Sequence, residues 1–497
     1  MLNAGASAIY QIVIMLIGMI TPRLLLIAYG SEINGLVSSV TQFISYFSLV
    51  QAGLSGASIF ALYQPLAQGD KRKISAIVTA TRNFYYRAGL MFLVLLTTMS
   101  LIYPLFVKTE QLSPILVAIL IFVIGFNSII DMFLLAKYTA LLSADQRHYI
   151  LSIGTTISSL LNFAIVVLMT SIRANIVLLK TVAISSVLAR SLFLFIYCRK
   201  RYSYVNFRET PDYTALSRRW SAMFLQILGI IQRGSPTVLL TILAQLTEVS
   251  VYSIYNMVMT GLSSLLDIFI SGLSASFGDI ISRNEIKTLQ KSYQDFECAY
   301  YGLITIVYSV GLCSIMPFIT IYTDGINDVN YIRPILGQLF MINGFLYNIK
   351  TPQGMLVMSA GLFKETQVQN VIQAGLIIIP GLFLVPQYGV VGILISMIIS
   401  NIYRDIDLIL FIPKNVTKLS AWKTIKRVLY CSIAIIISYI LMSRIPIRAT
   451  SFTRWILLAC CCGIVSGIVW FIIAMVFDRK KIVSIFTRIK QNIHRKR

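Results

Sequence analysis

Long apolar runs alternate along the chain with short polar segments. A run of about 20 apolar residues is long enough for a helix to cross the hydrocarbon core of a bilayer. By this criterion the sequence predicts roughly fourteen crossings. The first half supplies Ala4–Ala28, Asn34–Leu62, Phe84–Val107, Pro114–Ala136, Tyr149–Thr170 and Asn175–Tyr197. The second half supplies Ser221–Ala244, Glu248–Leu273, Cys298–Ile321, Tyr331–Val357, Gln367–Pro386 and Val390–Ile412. Val428–Met442 and Trp455–Phe477 follow, and the first of these is short for a full crossing.

The polar segments carry most of the 42 Lys and Arg residues, and such an imbalance sets topology through the positive-inside rule. Both termini are therefore predicted to be cytoplasmic. The N-terminus lacks a basic n-region and a cleavage site, so we expect the first crossing to be retained. The basic clusters could also bind anionic lipid or a partner, although topology alone accounts for them. They are Lys71-Arg72-Lys73, Arg199-Lys200-Arg201, Arg218-Arg219, Lys423–Arg427 and the tail Arg479–Arg497.

Composition places the chain among polytopic membrane proteins, since 57% of its 497 residues are hydrophobic and the mean hydropathy is +0.79. The net charge of +23 follows from topology and predicts no nucleic-acid partner. Seven cysteines without a CxxC and two histidines support neither a metal site nor a disulfide framework. The sequence also lacks a nucleotide-binding phosphate loop and the HExxH and GxSxG motifs. We expect neither an enzyme nor a cofactor, and proton or sodium coupling stays open.

The second half of the chain repeats the landmarks of the first at a shift of roughly 213 to 220 positions. An even number of crossings per copy means that both copies enter the membrane in the same direction. A pseudo-twofold axis along the membrane normal, a substrate site between the halves and alternating access are then expected. The matched pairs are Pro22 with Pro236, Tyr85-Tyr86 with Tyr300-Tyr301, Pro104 with Pro317, Pro114 with Pro334, Ser143-Ala144 with Ser359-Ala360, and Arg190 with Arg404.

These patterns predict an all-α, polytopic membrane protein of about fourteen transmembrane helices. Two parallel six-helix lobes are expected at residues 1–200 and 221–413. A cytoplasmic linker at 201–220 joins them. The segment 414–497 supplies the extra helix pair and a basic cytoplasmic tail.

Arg233 lies near the middle of the seventh predicted crossing, just before a Gly-Ser-Pro break. A charge at the centre of a membrane helix costs roughly 2.5 to 3.5 kcal/mol, so such residues face a bundle interior or a water-filled path. Gln226 and Thr237 fall on the same helical stripe as Arg233. The stripe is therefore predicted to face a cavity.

Three further crossings carry polar residues at helical spacing, which predicts either cavity lining or close helix packing through small residues. The stripes are Asn34, Ser38, Thr41, Ser45 and Ser48; Asn256, Thr260, Ser263 and Asp267; and Asn343, Tyr347, Lys350 and Gly354. Asn34, Gln226, Asn256 and Asn343 are the candidate cavity-lining amides.

Intramembrane cations predominate over acids, and guanidinium and ammonium groups bind phosphate oxygens well when shielded from water. The candidates for binding an anionic substrate are Arg23, Arg190, Arg233, Lys350 and Arg404. Some have a simpler interpretation, because Arg190 and Arg404 could pair with nearby acids and Arg23 could reach interfacial water. Asp131 and Asp267 are candidates for ion coupling or for neutralising a buried arginine.

Two stretches resemble a known family. YGSEINGLVSSVTQFISYFSLVQAGLSGASIF, followed by a basic loop and FYYRAG, resembles the N-terminal half of polysaccharide-type, Wzx-like flippases of the multidrug/oligosaccharidyl-lipid/polysaccharide (MOP) superfamily. TPQGMLVMSAGLFKETQVQN and QYGVVGILISMIISNIYRD are similar to that family's segment around its tenth to twelfth helices. The resemblance implies translocation of an undecaprenyl-pyrophosphate-linked oligosaccharide to the outer leaflet of a bacterial plasma membrane, for capsule, O-antigen or exopolysaccharide biosynthesis.

The resemblance also implies a division of labour within the membrane. In related lipid II flippases an extra helix pair forms an apolar groove leading to a lateral opening between the first and eighth helices. A polyprenyl tail would stay there while the headgroup crosses a cationic cavity. Arg23 matches the family position, whereas Arg233 rests on the residues alone. Where the family often has glutamate this chain has Gln51, so no carboxylate is available there.

Three alternatives remain at this stage. A multidrug extruder of the same superfamily would want a carboxylate-lined site for cationic drugs, and an integral-membrane glycan polymerase would carry enlarged outer loops. A membrane scaffold would not need charges buried along helical stripes. For the flippase the expected partners are the lipid-linked oligosaccharide, the bilayer and other polysaccharide assembly proteins.

Overall fold

The computed structural model describes residues 2–51, 54–107, 109–213, 220–270, 273–444, 450–479 and 481–483. This part of the chain is almost entirely helical and contains no β-strand. It divides into two compact units, Met1–Ser253 and Ile254–Arg497, called unit 1 and unit 2 below. The predicted division at the linker 201–220 stays a prediction, and Arg218-Arg219 lies outside the described residues.

Unit 1 contains eight helices and the beginning of a ninth within its described residues. A 3-10 turn, Ser48–Gln51, follows the first helix, and a π-helical segment, Asp131–Leu135, joins the fourth to the fifth. The helices are α1 (Leu2–Phe47), α2 (Leu54–Gln68), α3 (Lys71–Phe106), α4 (Pro114–Ile130), α5 (Ala136–Ala144), α6 (His148–Ser171), α7 (Ile176–Arg201), α8 (Trp220–Leu243) and α9 (Leu246–Ile270), whose residues through Ser253 belong to this unit.

Unit 2 begins within α9 and ends with the helix pair that the sequence predicted after the second group of crossings. A second π-helical segment, Pro413–Thr417, precedes that pair. The helices of this unit are α10 (Leu273–Ser282), α11 (Ile286–Tyr322), α12 (Pro334–Ile349), α13 (Thr351–Ser359), α14 (Gln367–Tyr388), α15 (Val390–Ile412), α16 (Ala421–Ser443) and α17 (Phe452–Phe477).

The predicted membrane architecture is confirmed. Ten helical stretches of the described residues are long and apolar enough to cross a membrane, and Val13–Gln51 among them overlaps the first two predicted crossings. The predicted crossings at 221–244, 331–357 and 390–412 coincide with α8, with α12 and α13, and with α15. The outward faces are apolar, as at Phe106, whose side chain is 80% exposed. The chain is therefore an all-helical, multi-pass membrane protein.

α1 is bent at Gly30, which has a φ of 77°. Its 46 residues would measure about 69 Å as a straight helix, more than twice the hydrocarbon thickness, so the two limbs form separate crossings. The second predicted crossing, Asn34–Leu62, is wrong as a single helix. The second limb ends at Phe47, where Ser45 and Ser48 donate their hydroxyl hydrogens to backbone carbonyls, a pattern that bends helices.

α3 begins well before the predicted start of its crossing at Phe84. The Asp70 carboxylate accepts a hydrogen bond from Lys73 N at 3.0 Å, so Asp70 caps the helix and Lys71-Arg72-Lys73 forms its first turn. The prediction that this basic cluster lies in a loop is therefore wrong. α11, the counterpart of α3 in the second half, is similarly long at 37 residues.

The C-terminal pair corrects a second expectation. The short predicted span Val428–Met442 belongs to α16, whose 23 residues are enough for a full crossing. The prediction that Lys423–Arg427 lies in a basic loop is wrong, because the helix begins at Ala421 and Arg427 is only 3% exposed. Most of the predicted tail, from residue 484 onward, lies outside the described residues.

Candidate functional site

α8 carries Arg233, the cation predicted to lie near the middle of the seventh crossing. Arg233 and Gln226 are both exposed and lie seven residues apart, on one side of the helix. Within the described residues, neither side chain makes a hydrogen bond or ion pair. Thr237, the third member of the stripe, is buried. Arg233 is therefore an exposed cation on α8, and its role in ligand binding stays a prediction.

The predicted Gly-Ser-Pro break does not end α8, which continues through Pro236 to Leu243. Pro236 has no N–H, so the carbonyl of Gln232 loses its helical donor, whereas the carbonyl one residue earlier gains side-chain donors. Here the hydroxyls of Ser235 and Tyr46 both donate to the Ile231 carbonyl, at 2.5 and 3.2 Å. α1 thus supports α8 directly beside Arg233.

Gly234 allows this close approach. A Cβ at this position would lie 2.2 Å from Gln42 Nε2 and 2.6 Å from Tyr46 Cε1, both on α1. Neither distance is tolerated by a real side chain, so the contact between the helices requires glycine. The position next to Arg233 is consequently fixed by packing.

Asn34 is the predicted cavity-lining residue on α1, and its side chain is buried in unit 1. Its Nδ2 donates to Ser250 Oγ at 2.7 Å and to Ser253 Oγ at 3.4 Å, both on α9. Deeper in the same seam, Thr241 Oγ1 donates to Ser39 Oγ at 2.8 Å. In this conformation the hydroxyl and amide groups join helices, so a lining role for Asn34 stays a prediction.

Arg190 and Asp131 are joined by an ion pair between α7 and the π-helical segment of unit 1. The arginine side chain is 18% exposed and the aspartate 47%. Of the two interpretations that the sequence left open for these residues, the structure shows the ion pair. Roles for Arg190 in substrate binding and for Asp131 in ion coupling would require the pair to open.

Lys350 lies at the junction of α12 and α13 in unit 2. Its Nζ donates to Asn401 Oδ1 at 2.5 Å, and Asn401 Nδ2 donates to Asn343 Oδ1 at 2.8 Å. The ammonium also lies 4.7 Å from the centroid of the Tyr347 ring. Lys350 and Asn343, both predicted site residues, therefore belong to one polar chain that runs through Asn401 on α15.

α15 carries three charged residues within one turn. Arg404 Nη1 contacts Asp407 Oδ2 at 2.5 Å, and the arginine side chain is 6% exposed. Arg404 is therefore paired, one of the two interpretations that the sequence left open. Asp405 between them is 5% exposed, and both carboxylate oxygens lack a hydrogen-bond partner within the described residues.

The remaining predicted residues are more accessible. Arg23 is half-buried on the first limb of α1, and Asn256 and Asp267 are exposed on α9 in unit 2. The described residues contain no cluster of three His, Cys, Asp or Glu side chains that could hold a metal ion. The expectations about cofactors and coupling ions stay predictions.

Sequence reasoning missed a buried charge network in unit 2. Arg427 on α16 bonds to Glu297 Oε2 on α11 at 2.6 Å and, through Nε, to Asp478 Oδ2 at 2.7 Å. Thr424 and Tyr293 donate to the other oxygen of Glu297, at 2.7 and 3.0 Å. The signal was present, since Glu297 directly precedes an apolar run, but its partner was assigned to a loop. This network fastens the C-terminal pair to α11.

An apolar cleft of about 380 Å³ lies between α11, α12 and α16. Only a few hydroxyl and amide groups interrupt its hydrocarbon lining. The walls include Tyr308, Leu312, Met341, Phe345, Ile435 and Ile436. α16, the first helix of the C-terminal pair, thus forms one wall of an apolar site in unit 2.

A larger cavity, about 880 Å³, lies in unit 1 away from the predicted site. Leu24 and Tyr29 of α1 line it together with Gln111, Arg173 and Asn175 near the ends of α4, α6 and α7. It contains none of the predicted binding residues.

No protein-family model matches the chain, and no curated protein matches it significantly. Solved structures do. A lipid II flippase, MurJ, in an inward closed conformation has a TM-score of 0.70 at 15% identity, with 97% of this chain and 99% of that chain covered. An inward-facing multidrug resistance MATE transporter of the MOP superfamily has a TM-score of 0.66 at 15% identity, covering 80% and 93%. A MATE structure in a bent conformation has a TM-score of 0.52 at 15% identity, covering 85% and 97%. The chain has the fold of these MOP-superfamily transporters.

Proposed function

We propose that this protein is a flippase that moves an undecaprenyl-pyrophosphate-linked oligosaccharide repeat unit from the inner to the outer leaflet. Alternating access would carry the headgroup across, and the product would feed the assembly of a surface polysaccharide. The observation that carries the proposal is Arg233, an exposed arginine without an ion-pair partner in the described residues, on the helix that coincides with the seventh predicted crossing.

A cation without an ion-pair partner costs roughly 2.5 to 3.5 kcal/mol at the centre of a membrane helix, so its presence there is expected to have a functional reason. A guanidinium matches the oxygens of a diphosphate with two parallel hydrogen bonds, which lysine cannot do. Binding a substrate diphosphate therefore supplies that reason. The close contact at Gly234 and the hydroxyls bonded to the Ile231 carbonyl fix the backbone of α8 beside the arginine.

The substrate proposed here also has a long apolar tail. The cleft between α11, α12 and α16 offers a hydrocarbon surface of suitable chemistry. Each buried CH₂ group contributes about 0.8 kcal/mol to binding of such a chain. The tail would lie in this cleft, which the C-terminal pair completes, while the sugar and diphosphate cross.

The membrane and partners follow from this substrate. We place the protein in a bacterial plasma membrane with both termini in the cytoplasm, as the distribution of Lys and Arg predicts. Its partners would be the lipid-linked oligosaccharide and other polysaccharide assembly proteins. Coupling to a proton or sodium gradient is part of the proposal.

A multidrug extruder is the second candidate, favoured by the likeness to the MATE transporter at a TM-score of 0.66. That structure leaves about a fifth of this chain unmatched, whereas the lipid II flippase covers 97% of it. The unmatched fraction is similar in size to the C-terminal pair with its tail. A glycan polymerase is the third candidate, and the structural neighbours do not favour it.

The test is deletion of the gene in its host, followed by the location of the lipid-linked precursor. A membrane-impermeant reagent that modifies the sugar, added from outside, distinguishes the two leaflets. The proposal predicts that precursor accumulates out of reach of the reagent and that the wild-type gene restores access. A copy of the gene that carries Arg233→Ala should not restore access of the reagent to the precursor.

Other outcomes favour the other candidates. Single repeat units that accumulate within reach of the reagent would place the block after translocation and indicate a polymerase. Unchanged precursor pools, together with a raised sensitivity to cationic drugs, would indicate a drug extruder.

A further inference from the structure

Asp405 is a buried acid to which the proposed function assigns no role. It lies on α15, is 5% exposed, and both of its carboxylate oxygens lack a hydrogen-bond partner in the described part of the chain. An unpaired buried ion costs more free energy than an unsatisfied neutral polar group does. The arrangement therefore favours the protonated, neutral form of the carboxyl group.

The charged neighbours of Asp405 are mostly bonded elsewhere. On its own helix, Arg404 pairs with Asp407. On α16, Arg427 pairs with Glu297 and Asp478, and α14 carries no charged residue. Tyr301 of α11, which interacts electrostatically with Asp405, donates its hydroxyl hydrogen to Ile349 O at 3.0 Å.

Lys350 is the remaining cation that acts on Asp405, from the junction of α12 and α13. In the described part of the chain it donates no hydrogen bond to the carboxylate, and its Nζ is bonded to Asn401 Oδ1 at 2.5 Å. Asn401 lies one helical turn before Asp405 on α15, so the two side chains project from the same face. Lys350 therefore has two acceptors on one face of α15 and occupies the neutral one.

A metal cation fits this place poorly. Sodium needs several oxygen ligands, but Asn401 Oδ1 accepts from Lys350 and Asn343 Oδ1 accepts from Asn401. The ammonium of Lys350 would also repel a bound cation. A proton needs a single carboxylate oxygen, and Asp405 supplies it.

We propose that Asp405 is a proton-binding site that exchanges one proton with solvent, and that Lys350 responds to its state. Uptake of H⁺ by the carboxylate gives the neutral acid and leaves Lys350 on Asn401, as seen here. Release of H⁺ restores the carboxylate, which draws Lys350 away from Asn401. The proton site stands by itself, whereas its use in driving translocation rests on the proposed function.

The first test is infrared difference spectroscopy of the full chain in lipid, without substrate, over a pH titration. The carbonyl stretching band of a neutral carboxylic acid reports protonation directly. We expect a band that titrates in the wild type and disappears in Asp405→Asn. Asp324→Asn is the control, because Asp324 is exposed in the loop after α11 and its removal should leave that band in place. A band that persists in Asp405→Asn, or no such band in the wild type, would overturn the proposal.

Lys350→Gln provides a second test that does not depend on the folding of Asp405→Asn. Removing an adjacent positive charge favours the neutral acid, so the titration midpoint should move to higher pH by about one unit. A midpoint that does not move, or moves to lower pH, contradicts the proposed pairing.

Transport assays with and without a proton gradient separate the two proposals. If the band behaves as expected and the protein moves no lipid-linked substrate, the proton site stands and the flippase proposal fails. If wild-type translocation responds to a proton gradient, Asp405→Asn should abolish that response. Translocation that responds equally in Asp405→Asn would remove this residue from coupling.

Discussion

Asp131 and Lys350 occupy the same position in the two halves of the chain. Asp131 is the C-cap of α4, and Lys350 is the C-cap of α12, the counterpart of α4 in the repeat. Both helices begin with a proline at the first position. Each is followed by a nine-residue helix: α13 comes directly after Lys350, whereas α5 comes after the π-helical segment that begins at Asp131. The halves therefore share an interrupted helix with opposite charges at the interruption.

The opposite charges lead to different partners. Asp131 pairs with Arg190 on α7, whereas Lys350 is bonded to Asn401 on α15, the counterpart of α7. At this position unit 1 therefore has an ion pair. In unit 2 the lysine is bonded to the amide of Asn401, and the nearby Asp405 has no hydrogen bond within the described residues. We expect a structural role for the first and an exchangeable one for the second.

The pair in unit 1 gives the first prediction. Arg190→Gln and Asp131→Asn should each lower the unfolding temperature in detergent, because each leaves a charge without its partner. The double substitution should recover part of the loss, and the coupling energy should lie between about 0.5 and 3 kcal/mol. Additive losses in the two single variants would show that the pair does not stabilise the fold.

Arg233 gives the second prediction. Arg233→Ala should insert and fold normally but reduce translocation to background, because the diphosphate loses its guanidinium partner. Arg233→Lys should recover only part of the activity, since an ammonium keeps the charge without the two-pronged geometry. The measurement is accessibility of the lipid-linked precursor to an external reagent.

Arg283→Ala is the matched control for Arg233, because Arg283 is also an exposed arginine but is paired with Asp279. It should translocate as the wild type does. Full activity in Arg233→Ala would remove Arg233 from the mechanism.

Gly234 gives the third prediction. Gly234→Ala places a methyl group 2.2 Å from Gln42 Nε2 and should destabilise the protein by about 1 to 3 kcal/mol through overpacking. Gly261→Ala, at a helical glycine with no heavy atom within 4 Å of the added Cβ, should be neutral or slightly stabilising. Thermal unfolding in detergent compares the two. Equal effects would show that the contact between α1 and α8 tolerates a side chain.

The buried network of unit 2 gives the fourth prediction. Arg427→Leu leaves Glu297 buried without its cation and should destabilise by about 3 to 5 kcal/mol, whereas Lys423→Leu, at an exposed position four residues earlier, should have little effect. Adding Glu297→Gln to Arg427→Leu should restore most of the lost stability, since the fully buried charge is then removed and only Asp478, which is 23% exposed, loses its cation. Failure of the double variant to recover would mean that packing of the arginine, rather than its charge, holds α16 on α11.

Individual residues show which features of the fold could be predicted from the sequence. Gly30 marks the break between the first two crossings because glycine tolerates its positive φ. The apolar runs located most crossings, but helices that extend beyond the membrane, such as α3 and α11, begin about a dozen residues earlier than predicted. The helical start at Lys71 was missed because a cap at Asp70 overrides the basic composition of the first turn. Arg427 was missed because a charged residue at the end of an apolar run has the same pattern whether it faces water or a buried glutamate.

The sequence by itself determined that this protein is helical, crosses a membrane many times and repeats its landmarks, because apolar length, charge distribution and proline positions are local properties. The tertiary structure decided which intramembrane charges are paired. Arg190 and Arg404 have acidic partners, Arg233 has none in the described residues, and Asp405 is buried without a hydrogen bond. The physical reason is that burial and partnership depend on residues distant in sequence, so charges alike in the sequence differ in the fold.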